Sequence, residues 1–322
     1  MKKQKYKVVS LFSGCGGLDL GFVGGFNFLG KNYSKLNYEI IWANDFEPSA
    51  CLTFRNNFKE DIVCGDINVV LKGKNNLLDK ELPKNADIVL GGFPCQDFSL
   101  AGKRRGFNNE KRGLLYKSMM EVIKRVRPKV FLAENVKGLL SMNGGEAFKT
   151  IIKDFETLGY EISAQLYLAS EFGVPQNRER IIIVGTKKGM LPQFIHPKAL
   201  FKKEQAITAE QAIGDLQNVE EGFLPNHYWS KAKLTNGQGN NKINPNKPGP
   251  TMRSEHHGNI EFHWKAKRRL SAREAARIQS FPDDFIFYPS TSSAYKQIGN
   301  AVPPVLAWQV AKSLQNFLDK HL

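Results

Sequence analysis

Up to Gly185 the chain alternates short β-rich apolar runs with amphipathic stretches, and no other feature narrows the possible folds as far. Apolar runs recur at Lys7 to Phe12, Glu39 to Ala43, Asp61 to Cys64, Ala86 to Leu90, Lys129 to Ala133, Ile162 to Leu168 and Arg180 to Gly185. Between them, EPSACLTFRNNF, LLYKSMMEVIKRV and EAFKTIIKDFETLG show helical spacing, and each stops at a Gly, Pro or polar break. The alternation predicts βαβ units and an α/β sheet flanked by helices.

Beyond that point the texture changes. From Leu191 to Trp264 the chain is rich in Asn, Gly, Lys and Pro, as in KLTNGQGNNKINPNKPGPTMRSEHHGN, which predicts a smaller, loop-rich second region. Helical pattern resumes at SAREAARIQSF. Near the C-terminus Val302, Leu306, Val310, Leu314 and Leu318 recur at spacing four, the signature of a core helix. The 322 residues exceed what one core comfortably holds, so a large domain with a smaller one is expected.

Charge narrows the partners. Lys and Arg number 46 against 31 Asp and Glu, a formal net charge of +15. Such an excess suits a polyanion, because cations replace the counterions on phosphates and steer encounter. MKKQKYKVVSLFSG lacks the apolar run of a signal peptide, and no stretch approaches the ~18 apolar residues of a membrane span. Cys15, Cys51, Cys64 and Cys95 form no C-x-x-C pair, which argues against a zinc ribbon or a disulfide framework. A reduced cytoplasmic protein without membrane or metal is expected.

Ligands of a parallel α/β sheet sit outside the carboxyl ends of its strands, so the residues after each apolar run carry the functional reading. FSGCGGLDLGF supplies Gly14, Gly16 and Gly17 for a tight turn at a helix start; Asp19 stands where a dinucleotide fingerprint has its third glycine, which disfavours a pyrophosphate. WANDFEP brings Asp45 and Phe46 to the next strand end, and VCGDI brings Asp66 and Ile67. An acid for ribose hydroxyls, an aromatic face for adenine and an acid for an exocyclic amino group describe an adenosine ligand such as S-adenosylmethionine. Each acid alone equally fits a helix N-cap.

The next strand runs into GGFPCQDFS, where Pro94 fixes the backbone ahead of Cys95. A buried thiol, a nucleophile and a zinc ligand are the three options for Cys95. The zinc-deaminase pattern P-C-x-x-C fails here, since Gln96, Asp97 and Phe98 follow. AENV then adds Glu134 and Asn135, and QNRER adds Arg178 and Arg180. Thiol, carboxyl and guanidinium at neighbouring strand ends suit a heteroaromatic ring.

The blocks FSGCGG, NDFEP, GDI, GGFPCQDFS, RGLLY, ENV, QNRER, RRLSAREAARIQSFP and QIGNAVPP, in that order from residue 12 to 304, closely resemble the DNA (cytosine-5)-methyltransferases. The resemblance implies an S-adenosylmethionine-dependent, Rossmann-like mixed sheet flanked by helices. It implies a catalytic and cofactor domain over 1–189, completed by 290–322, and a target-recognition domain over 190–289. It makes Phe12, Ser13, Gly14, Gly16, Gly17, Asp45, Phe46, Asp66, Ile67, Pro94 and Asn300 the cofactor residues, although the family often has Glu where Asp45 stands. Cys95 becomes the nucleophile, Glu134 the proton donor, and Arg178 with Arg180 a substrate-positioning pair.

That assignment has chemical logic. Carbon 5 of cytosine becomes nucleophilic once a thiolate adds to carbon 6 and an acid protonates nitrogen 3, which calls for a raised pKa at Glu134. The base must first leave the duplex. SLAGKRRGFNNEKRG, with Ser99, Lys103, Arg104 and Arg105, reads as a loop closing over DNA phosphates, and Thr251, Arg253, His256 and His257 as contacts in the recognition region. Double-stranded DNA is the expected partner, with a cognate restriction endonuclease at the system level, in a monomeric prokaryotic or phage enzyme. A tRNA cytosine methyltransferase would share the chemistry but carry a reduced recognition segment. A non-enzymatic DNA-binding relative would have lost Cys95, Glu134 or the cofactor loop.

Overall fold

The structure is a computed structural model that describes residues 5–73, 81–94, 115–191, 193–231, 241–253 and 261–321. In chain order the strands are β1 (Tyr6–Leu11), β2 (Phe26–Phe28), β3 (Lys31–Tyr33), β4 (Tyr38–Asp45), β5 (Ile62–Cys64), β6 (Ile88–Gly91), β7 (Val130–Val136), β8 (Tyr160–Leu168) and β9 (Glu179–Lys187). The helices are α1 (Gly17–Val23), α2 (Pro48–Asn57), α3 (Ile67–Leu71), α4 (Leu115–Val126), α5 (Glu146–Glu156), α6 (Ala209–Ile213), α7 (Ala272–Ile278), α8 (Thr291–Asn300) and α9 (Pro304–Leu318).

All seven apolar runs become strands of one sheet ordered β5-β4-β1-β6-β7-β9-β8. Neighbours pair in parallel from β5 through β7, whereas β9 runs antiparallel to both β7 and β8. Reversing that single strand brings the start of β9, with Glu179 and Arg180, to the edge where β7 ends. The connections from β1 and β6 leave in opposite directions along the sheet, toward β4 and β7, which opens a crevice between them.

Alternate strand residues feed two cores, one on each face, as the two-residue pleat dictates. Val8, Ile40, Ile88, Leu90, Leu132 and Val184 pack on the side of α1 and α9. Val9, Leu11, Val89, Phe131 and Ile183 pack with Met119 and Val122 of α4 and Ile151 of α5. Leu306, Val310, Leu314 and Leu318 of α9 are at most 1% exposed, and burying each such side chain is worth about 1.5–3 kcal/mol. The spacing-four pattern is therefore a core face, as the sequence predicts. Gly17 is needed for this packing, since a Cβ there would sit 2.4 Å from the Val302 carbonyl oxygen.

The β2–β3 hairpin is absent from the sequence reading. Its turn places Leu29 and Gly30 at positive φ, 46° and 74°, and a leucine in that position hides the usual turn signal. Helix α8 was equally silent, because STSSAYKQIGN is rich in weak helix formers; the Ser290 hydroxyl, accepting from Ser293 N, caps it. A third core joins Ala209, Ala212, Met252, Leu270, Ala275 and Ile278 to Cys15 and to Tyr295 and Ile298 of α8. No helix among the described residues is long and apolar enough to cross a membrane.

Candidate active site

The loops after β1, β4 and β5 are tied together by two side chains. Asp45 Oδ2 accepts from Gly14 N at 2.8 Å and Oδ1 from Glu47 N at 2.9 Å. Asn44 Nδ2 donates to the carbonyls of Val63 and Gly65 at 2.8 and 2.9 Å. Sequence reasoning passed over Asn44, although its place before the acid in NDFEP was the available signal. Asp45 is buried, which pushes its pKa up, while the N–H groups of Glu47 and Gly14 pull it down. Each carboxylate oxygen retains a second lone pair, so ribose hydroxyls remain compatible with these bonds.

Beside it, Phe46 is 67% exposed. A phenyl ring this open presents an uncovered planar apolar face at the sheet edge. Asp66 takes the N-cap role: its Oδ1 accepts from Asn68 N at 2.8 Å and caps α3, while the residue stays exposed. Ile67 is buried behind it, in the core shared with Val63 and Phe93. Phe12 holds a left-handed φ of 54°, a strained conformation for a bulky residue at the turn into the glycines. Ser13 donates its N–H to Asn44 O at 3.0 Å and its hydroxyl to Ser10 Oγ at 2.9 Å. Asn300 ends α8 as an exposed residue.

Asp19 departs from its sequence reading. Rather than facing a ligand, it is fully buried in the first turn of α1, with neither carboxylate oxygen in a well-aligned hydrogen bond among the described residues. Burial lifts its pKa to about 7, against a lowering pull from the nearby Ser10 hydroxyl. The acid is turned into the protein because the N-terminal turn of α1 packs inward against the strands.

At the far side of the crevice, Glu134 and Arg180 form an ion pair, Nε to Oε1 at 2.8 Å, with side chains 12% and 11% exposed. The register explains it: Arg180 faces Val136 across β7 and β9, two residues from Glu134 and so on the same sheet face. Burial raises the Glu134 pKa, against lowering contributions from Arg180 and Arg178. Next to Glu134, Asn135 Nδ2 donates to Phe93 O at 2.9 Å and fixes the segment that leads through the exposed Pro94 toward residue 95. Gly92 is a close-approach position, since a Cβ there would lie 3.1 Å from Glu134 Oε2.

The two arginines of QNRER divide. Arg180 faces Glu134, whereas Arg178 is 1% exposed and spends both terminal nitrogens on the carbonyls of Met252, Gly299 and Ala301 at 2.8–3.0 Å. Thr251 is held by its hydroxyl donating to Asn177 O at 2.7 Å, and Arg253 is exposed beyond it. Cys95, Ser99, Lys103, Arg104, Arg105, His256 and His257 lie outside the described residues. The sheet edge thus carries Asp45, Phe46 and Asp66 after β4 and β5, and a buried acid with its cation at the end of β7.

The chain is similar to known proteins over nearly its whole length. The family model for C-5 cytosine-specific DNA methylase matches residues 6–258 and 227–316. Type II methyltransferase M.NgoFVII of Neisseria gonorrhoeae is 39% identical across 96% of this chain and 86% of its own length. Type II methyltransferase M.FnuDI of Fusobacterium nucleatum is 35% identical across 98% of this chain and 96% of its own. Among solved structures, an Escherichia coli prophage-encoded DNA modification methyltransferase aligns with a TM-score of 0.72 at 22% identity, covering 98% of this chain and 100% of that one. The Spodoptera frugiperda DNMT2 structure aligns at 0.69 and 19% identity, covering 96% and 99%. With both halves of the chain matched and relatives at this identity aligned nearly end to end, the chain belongs to the C-5 cytosine-specific DNA methylase family.

Proposed function

We propose that this DNA cytosine-5 methyltransferase acts on a cytosine turned out of double-stranded DNA, with Cys95 as nucleophile and Glu134 as the acid at nitrogen 3. The observation that carries the reading is the buried Glu134–Arg180 pair, 2.8 Å apart, at the strand end that adjoins the Phe93–Pro94 segment. The raised pKa of Glu134 suits an acid that must deliver a proton near neutral pH. Arg180 keeps that carboxyl oriented.

The cofactor reading is S-adenosylmethionine, which supplies an electrophilic methyl group. The donor set fits it: the exposed Phe46 ring for adenine, the buried Asp45 for ribose and the exposed Asp66 for an amino group, with Phe12, Ser13, Gly14, Gly16 and Gly17 in the turn; Ile67, Pro94 and Asn300 complete the cofactor residues of this reading. In the first step the Cys95 thiolate bonds to carbon 6, and the ring electrons move to carbon 5 as Glu134 protonates nitrogen 3. After methyl transfer to carbon 5, loss of the carbon 5 proton to a base expels Cys95 and restores the ring. Grip on the DNA phosphates falls to Ser99, Lys103, Arg104 and Arg105.

Residues 1–189 with 290–322 form the catalytic and cofactor domain in this reading, and 190–289 the recognition domain, where Thr251 and Arg253 meet DNA. The type II naming of the relatives supports a place beside a restriction endonuclease. Base-resolution mapping of 5-methylcytosine in DNA from cells expressing the chain tests the activity: methylation absent in the Cys95→Ala variant supports the reading, and no methylation above that variant's level overturns it. A duplex carrying 5-fluorocytosine tests the covalent step, since it should trap the wild-type chain and not Cys95→Ala.

A further inference from the structure

Arg178 is a buried cation without an ion pair among the described residues, and a buried charge is costly unless it is compensated. The compensation is unusual. Nη1 donates to Met252 O at 2.9 Å, and Nη2 to Gly299 O at 2.8 Å and Ala301 O at 3.0 Å. These carbonyls belong to two separate segments: Met252 lies between Thr251 and Arg253, and Gly299 and Ala301 flank Asn300.

The neighbouring side chains repeat the pattern. Gln176 accepts from Met252 N at 3.3 Å and donates to Gln279 Oε1 at 2.6 Å, and Gln279 in turn donates to Ala301 O at 2.6 Å. Asn177 uses its backbone, donating N–H to Gly249 O at 2.8 Å and accepting from the Thr251 hydroxyl at 2.7 Å. The residues just before Arg180 therefore hold the 249–252 segment and the 299–301 turn at one spacing. Only a guanidinium has the flat fork that spans both segments at once; a lysine ammonium reaches one.

We propose that Arg178 is a positioning residue that fixes the DNA-facing segment 251–253 relative to the cofactor-side Asn300, so that DNA and cofactor each strengthen the binding of the other. This rests on the roles given above to Thr251, Arg253 and Asn300. A ligand that seats its own segment restricts the other segment through the bonds they share at Arg178, so part of the ordering cost of the second ligand is already met, and linkage makes the effect equal in both directions. Substrate contact is left to Arg180.

The test is the affinity for S-adenosylhomocysteine, with and without a duplex carrying the site found by methylation mapping, in wild type and Arg178→Lys. Wild type should bind about 10-fold more tightly in the presence of DNA, and Arg178→Lys less than about 2-fold more tightly. A variant that loses affinity for each ligand but keeps the wild-type ratio makes Arg178 merely structural and overturns the proposal. If Arg178→Lys does not fold, Thr251→Val, which removes the bond to Asn177, decides: a reduced ratio supports the proposal and an unchanged ratio overturns it. Wild type binding S-adenosylhomocysteine equally with and without DNA overturns this inference alone, whereas no binding at all overturns the cofactor reading along with it.

Discussion

Glu134 and Arg180 sit diagonally on one side of an antiparallel strand pair, their Oε1 and Nε 2.8 Å apart. Two opposing influences meet on the carboxyl: burial raises its pKa, and the guanidinium lowers it. Removing the carboxyl's proton capacity in Glu134→Gln should lower kcat by about 100-fold or more, the usual contribution of a positioned acid. Arg180→Met removes the lowering influence, so the Glu134 pKa rises further. The limb of kcat/KM that falls as the acid deprotonates should then move to higher pH. A limb at the wild-type position in Arg180→Met would detach that pH dependence from Glu134.

Gly92 sets how closely the Phe93–Pro94 segment approaches this pair. A methyl group there would press on Glu134 Oε2 from 3.1 Å. Gly92→Ala should cut kcat by roughly 10-fold through displacement of the carboxyl, with melting temperature changed by only about 2 °C. Steady-state kinetics beside a thermal melt separates the two, and a large fall in melting temperature would point to packing as the cause.

Phe46 makes the opposite kind of prediction, because its ring is 67% exposed and contributes little to the fold. Phe46→Ala should leave thermal stability within about 0.5 kcal/mol of wild type. It should nevertheless weaken S-adenosylhomocysteine binding by about 10-fold, in the range that stacking of a base on an aromatic ring provides. Calorimetric titration showing wild-type affinity would remove Phe46 from the cofactor site.

Asp19 gives the chain a built-in pH dependence of stability. Its pKa rises from 3.8 to about 7 on folding, so between those values the folded state binds more protons than the unfolded one. The favourable contribution is complete below about pH 4 and is lost as pH rises through about 7. Asp19→Asn keeps the shape and removes the titration. Denaturant unfolding without cofactor should find it more stable than wild type at pH 8, by about 1–3 kcal/mol, with the gap shrinking toward pH 5. Parallel stability curves for the two proteins over that range would show that Asp19 is not the titrating group.

By itself the sequence determined the strands of the main sheet, the long helices and the family, because apolar periodicity and ordered motifs are local properties of the chain. Apolar residues at spacing four announced α9, and the runs ending at Ala43, Cys64, Leu90 and Ala133 announced the functional edge, where the strands themselves end at Asp45, Cys64, Gly91 and Val136. Tertiary structure alone decided the rest. Leu29 at positive φ concealed the β2–β3 turn, and serine-rich α8 forms because its apolar face packs into the third core. Asp19 reads as a ligand-facing acid until the packing of α1 buries it. Arg178 and Arg180 are chemically identical two positions apart, yet one is folded into three carbonyls and the other against Glu134. A side chain's partners depend on segments far along the chain, here Met252 and Gly299, and only the assembled fold brings those to it.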